Sequence, residues 1–105
     1  MAWLVLIGAG LCEIGWAVGL KYTEGFSRPG PTLATLVAIL ASIVLLAFAL
    51  RDLPLGTAYA VWTGIGTIGT TLFGILVLHE ASDPLRLLCI ALIAGGIIGL
   101  KLVTP

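Results

Sequence analysis

The sequence predicts an all-α membrane protein with four transmembrane helices, and three observations lead there. Its 105 residues are 60% hydrophobic and only 10% charged, with a mean hydropathy of +1.22. Average soluble domains carry about 25% charged residues. Four apolar runs, about 2–21, 31–50, 55–78 and 85–103, are each long enough to cross a ~30 Å hydrocarbon layer as a helix. Short segments rich in turn residues separate them. The expectation is a single four-helix transmembrane domain over residues 1–105, with nothing left for an extramembrane domain.

The first run, Ala2–Lys21, contains one charge before its terminal lysine, Glu13. It has no basic leader, no clean small-x-small exit, and a carboxylate where a signal peptide needs an apolar core. It is expected to remain as a helix. The segment Thr23-Glu24-Gly25-Phe26-Ser27-Arg28-Pro29-Gly30-Pro31 forms the first loop. The second run holds Ser42 near its middle, and Arg51-Asp52-Leu53-Pro54 ends it. The third run concentrates glycine and aromatic residues and is closed by His79-Glu80-Ala81-Ser82-Asp83-Pro84. The fourth contains Gly95-Gly96-Ile97-Ile98-Gly99. Cys12 and Cys89 lie in separate apolar runs without metal-type spacing and read as packing thiols.

Charge excludes one class and leaves orientation balanced. Five basic and five acidic residues sum to zero, so no basic surface points to nucleic acid. With four spans, Arg51 and Lys101 fall on one side, and Lys21, Arg28 and Arg86 on the other. The N-terminal amine makes this three against three, so the positive-inside rule gives no preference. Insertion in both directions, and with it an antiparallel homodimer, is one reading. A single topology set by other factors is the other. Size favours the first, because four helices have little room to enclose a pathway, and transporters commonly pair inverted halves around a midplane site. Gly95 and Gly99 form a G-x-x-x-G that suits dimer packing, although this pattern also recurs by chance in glycine-rich apolar sequence.

Glu13 is the residue on which function turns. At ~1.5 Å per residue it lies about 16 Å from Ala2, near the centre of the hydrocarbon layer. A charged side chain there costs roughly 2.5–3.5 kcal/mol on insertion scales. Binding a proton or binding a cation both lower that cost, so the two compete for one site. That competition is sufficient to exchange protons for an organic cation.

Helical spacing supplies the neighbours. Trp16 lies almost a turn from Glu13, too deep for an interfacial anchor such as Trp3, and reads as a wall of the site. Tyr59 and Trp62 offer a hydroxyl and an indole N–H to a carboxylate, and aromatic faces to a cation. Ser42 adds a hydroxyl at similar depth, although a lone serine in a membrane helix commonly bonds its own i−4 carbonyl. Gly64 and Gly66 permit a helix bend. With Gly69 they match G-x-G-x-x-G, but no strand precedes them, so the dinucleotide reading fails. His79, Glu80 and Asp83 read as solvated loop charges, and Lys21 and Lys101 as snorkelling residues. No nucleophile–base pair, cofactor signature or metal cluster stands out, so neither an enzyme nor a cofactor is expected.

Three segments carry a resemblance to a known family: Glu13-Ile14-Gly15-Trp16-Ala17-Val18-Gly19-Leu20-Lys21, Gly25-Phe26-Ser27-Arg28 and Gly56-Thr57-Ala58-Tyr59-Ala60-Val61-Trp62-Thr63-Gly64-Ile65-Gly66. Together they resemble the small multidrug resistance family, over essentially the whole chain. Trp16, Ser42 and Lys101 resemble its guanidinium exporter subtype; multidrug members typically have glycine in place of Trp16. Gly15 departs from the subtype, whose members carry a larger apolar residue there. The resemblance implies an antiparallel homodimer in the bacterial inner membrane, exchanging protons for guanidinium-type cations. Glu13 would bind both, Trp16, Ser42, Tyr59 and Trp62 would orient it or line the pocket, and Gly64 to Gly66 would let the third helix bend. A quaternary-ammonium multidrug exporter is the alternative, and a non-transporting membrane assembly subunit a third reading.

Overall fold

A computed structural model describes residues 1–104. Four α-helices follow one another: α1 (Ala2–Tyr22), α2 (Pro29–Ala49), α3 (Leu55–Leu76) and α4 (Pro84–Val103). At 20 to 22 residues each, they are about 30–33 Å long and match a bilayer's hydrocarbon core. All four are long and apolar enough to cross a membrane.

The helix ends follow from local chemistry. Lys21 lies in the last turn of α1, where a cation complements the helix dipole. Thr23 then closes the helix: its backbone N–H reaches the Gly19 and Leu20 carbonyls, and its hydroxyl donates to Leu20 O at 2.8 Å. Glu24, Gly25 and Phe26 all take left-handed φ values, so the loop reverses within a few residues. Helix α2 starts at Pro29, two residues before the expected Pro31. Both prolines fit the first turn, where a missing N–H leaves no hydrogen bond unmade. Helix α3 stops at Leu76, two residues short of expectation, because the chain turns back on the Gly74 carbonyl. That carbonyl accepts from Leu78 N at 3.1 Å and from Glu80 N at 3.0 Å. Helix α4 opens on Pro84, with Asp83 in extended conformation before it.

The molecule is a slab of 44 × 35 × 17 Å. Its thin dimension leaves little depth for a closed bundle of helices about 10 Å across. Helix α1 lies between α2 and α3, while α4 packs on α3 alone. A small core of Leu6, Ala49, Leu53, Ala58 and Val61 joins the first three helices, and Trp62, Ile65 and Ile97 pack against it. No residue of α4 is buried. Large apolar side chains such as Leu4, Leu36, Leu40, Phe48 and Leu92 point outward, as lipid contact requires and water would penalise.

Interlocking side chains set the spacing of α1 and α3. A Cβ on Gly10 would lie 2.7 Å from Ile65, and one on Gly69 would collide with Ile14. Each helix thus inserts an isoleucine where the other has only hydrogen. The same device joins α1 to α2, where Thr35 fills the space beside Gly19. On the other side, Ile97 and Ile93 of α4 fill the space at Gly64.

Candidate functional site

The site is built on the seam between α1 and α3. These helices run parallel, and their facing residues recur every four positions. Ala9, Glu13, Ala17 and Lys21 form the row on α1; Trp62, Gly66, Thr70 and Gly74 form the row on α3.

Glu13 meets α3 at Gly66. A Cβ at Gly66 would stand 2.5 Å from Glu13 Cδ and 2.7 Å from its Oε1, so the carboxyl group occupies the room left by the glycine. Its Oε2 is buried without a hydrogen-bond partner, as is Trp16 Nε1. The site therefore holds an unsatisfied acceptor and an unsatisfied donor in one helical turn. Buried polar atoms are rarely left so, and an orphaned pair of this kind suits an exchangeable guest.

One turn away, Ser42 organises the next level. Its hydroxyl donates to the carbonyl of Ala9 at 2.8 Å, bridging α2 to α1. It accepts in turn from Trp62 Nε1 at 2.9 Å, bridging α3 as well. Ser42 is fully buried, and its bond reaches another helix rather than its own i−4 carbonyl. Trp62 gives its N–H to Ser42 instead of to the carboxylate, and Tyr59 stacks edge-on against Trp62 with ring centroids 5.4 Å apart. Tyr59 itself is 55% exposed, on the open side of α3.

The remaining expected residues fall elsewhere. Gly64 faces α4 through Ile97, while Gly66 faces Glu13, and α3 is one uninterrupted helix through both. Gly95 and Gly99 have no atom within 4 Å of a built Cβ, so they leave the outer face of α4 open. Lys101 sits over the ring of Trp3 at 5.0 Å, near one end of the slab. Cys12 and Cys89 are free thiols. Among the described residues no group of three or more His, Cys, Asp or Glu is placed to hold a metal ion.

Three participants escaped the sequence reading. The Ala9 carbonyl accepts from Ser42, and a backbone oxygen has no sequence signature. Thr70 Oγ1 is buried and unpartnered one turn beyond Gly66; its i+4 spacing from Gly66 was the only available cue. Glu80 returns from the α3–α4 loop to contact Gly74.

Comparison with known proteins places this geometry. A family model described as Small Multidrug Resistance protein matches residues 1–93. The chain belongs to the small multidrug resistance family. It is 57% identical over 104 residues to proteins named guanidinium exporter from Citrobacter freundii and Salmonella typhimurium, covering 99% of each chain. A Yersinia pestis protein of the same name is 58% identical over 102 residues, covering 97% of this chain and 98% of its own length. As a member of the small multidrug resistance family with four membrane-spanning helices, the protein is a multi-pass transport protein of the bacterial inner membrane.

Proposed function

We propose that this small multidrug resistance protein exports guanidinium and small guanidinyl cations in exchange for protons, with Glu13 as the shared ligand. The observation that carries the reading is the Glu13 carboxyl group seated on Gly66 with Oε2 unpartnered inside an apolar slab. A guanidinium ion is planar and offers only donors, so it matches a carboxylate through paired hydrogen bonds. A proton neutralises the same group by a different route, and the two cannot occupy it together. The relatives named guanidinium exporter support this choice of cation.

The other residues take supporting roles in this reading. Ser42 and Trp62 hold one wall fixed, while Trp16 and Tyr59 line the pocket. Gly64 and Gly66 leave α3 free to bend. The thin slab supplies only half an enclosure, so a second copy, inserted in the opposite direction, closes the pathway. Gly95 and Gly99 on the open face of α4 provide its packing surface.

Transport in proteoliposomes tests the mechanism. External guanidinium should enter as protons leave, so a pH dye trapped inside should report alkalinisation. Glu13→Gln should abolish that signal. Coupled flux that persists in the variant would remove Glu13 from the mechanism, and wild-type guanidinium flux without proton movement would remove the exchange. Tetraalkylammonium ions, run in parallel, separate the guanidinium reading from a broad multidrug one.

A further inference from the structure

Two turns along the α1–α3 seam from Glu13, the α3–α4 loop brings a second carboxylate back onto the same two helices. His79 takes a left-handed φ of 59°, and the Gly74 carbonyl accepts the N–H groups on either side of it, from Leu78 and Glu80. The reversal drops Glu80 onto Gly74, where its carboxyl group fills the space a Cβ would need. A cavity of about 190 Å³ opens there, with Ala17, Lys21, Thr70, Gly74 and Glu80 in its lining. At ~30 Å³ per water molecule, it admits a small cation with several waters.

The spacing ties this cavity to Glu13. Ala17 and Lys21 follow Glu13 at i+4 and i+8, as Thr70 and Gly74 follow Gly66. The cavity therefore begins one helical turn beyond the buried carboxyl group. Thr70 Oγ1 is buried there without a hydrogen-bond partner. Among the described residues, the one salt bridge within 4 Å joins Arg86 to Asp83, so Glu80 and Lys21 line the cavity unpaired.

We propose that Glu80 is a second, weaker cation-binding carboxylate, a staging site at the mouth of the seam for guanidinium-type cations moving to or from Glu13. This rests on the transport reading above. The Glu80 carboxylate offers two acceptors to a planar donor, and the Thr70 hydroxyl offers the next acceptor inward. Lys21 competes for Glu80 with its own ammonium, which keeps the site weak. A waypoint must bind well enough to load and loosely enough to release. In an inverted pair, one such mouth faces each aqueous side.

The test is guanidinium flux in proteoliposomes, measured against concentration for wild type, Glu80→Gln and Glu80→Asp. Glu80→Gln should raise KM about fivefold, the scale of an exposed ion pair. Its kcat should stay within about twofold, since the same scale leaves the Glu13 step untouched. Glu80→Asp should recover most of the loss. The KM difference should shrink between about 0.01 M and 1 M salt, as screening of an exposed charge requires. A purely structural Glu80 would instead lower kcat with no salt dependence. That result, or an unchanged KM, overturns the proposal. Should Glu80→Gln fail to assemble, Lys21→Gln decides: losing the competitor lowers KM, and an equal or higher KM overturns the staging site. Wild-type vesicles without guanidinium flux defeat the transport reading itself. Flux that needs Glu13 yet ignores Glu80 and Lys21 defeats only the staging site.

Discussion

Ser42 shows how much one hydroxyl can organise in a membrane protein. By donating to Ala9 O and accepting from Trp62 Nε1, it uses both of its capacities and ties three helices together. Ser42→Ala leaves the indole N–H of Trp62 without a partner and strips the Ala9 carbonyl of its interhelical donor, leaving it only its bond within α1. Interhelical hydrogen bonds in membranes are worth about 0.6–2 kcal/mol, so the variant should lose stability on that scale. Thermal unfolding in detergent reads the loss. Guanidinium KM should rise with it, because Trp62 no longer has a fixed orientation. Glu13 and Ser42 were both legible as polar residues in apolar runs, because their cost in hydrocarbon demands a reason. Their partners were not legible. Hydropathy says that Glu13 must find relief; it does not say that Gly66 is the residue facing it.

At the scale of the helices, glycine position matters more than glycine number. Gly66 touches Glu13, whereas Gly15 has nothing within 4 Å of a built Cβ. Gly66→Ala should displace the Glu13 carboxyl group and reduce guanidinium flux at least tenfold (about 1.4 kcal/mol or more). Gly15→Ala should leave flux near wild type and gain up to about 0.5–1 kcal/mol of helix stability. Equal flux from the two variants would show that the Gly66 contact has no part in transport. The helices themselves were readable in advance, since length and composition alone decide a span. Their ends moved by one or two residues where proline entered a first turn or a carbonyl captured the returning chain. The pairing of Gly66 with Glu13, Gly69 with Ile14 and Gly10 with Ile65 depends on axial rotation and offset between helices. A period of 3.6 residues identifies a face without naming its counterpart.

The whole molecule has a core confined to three helices and a fourth helix with no buried residue. Gly95 and Gly99 are, with Gly96, the smallest residues on that outer helix, and a close helix–helix approach needs small residues. Gly95→Leu combined with Gly99→Leu should leave each chain folded while shifting a purified pair toward single subunits. Mass measurement of the detergent complex, with crosslinking between oppositely inserted copies, checks both the pairing and its orientation. A pair that survives both substitutions assigns the contact elsewhere on the slab. Balanced charges and a G-x-x-x-G in the fourth span were legible in the sequence, but neither says which surfaces meet.

The glycine pockets also have a mechanical consequence. Isoleucines and a carboxyl group plug α1 and α3 into each other at three heights, and Thr35 pins α2 to α1 at Gly19. Sliding α1 past α3 requires three plugs to lift at once, and with α2 pinned to α1 the three behave as one stiff plate. Helix α4 is held at Gly64 by Ile97 and Ile93. It is an arm on a plate, and the shoulder of that arm is one turn or less from the residue that seats Glu13.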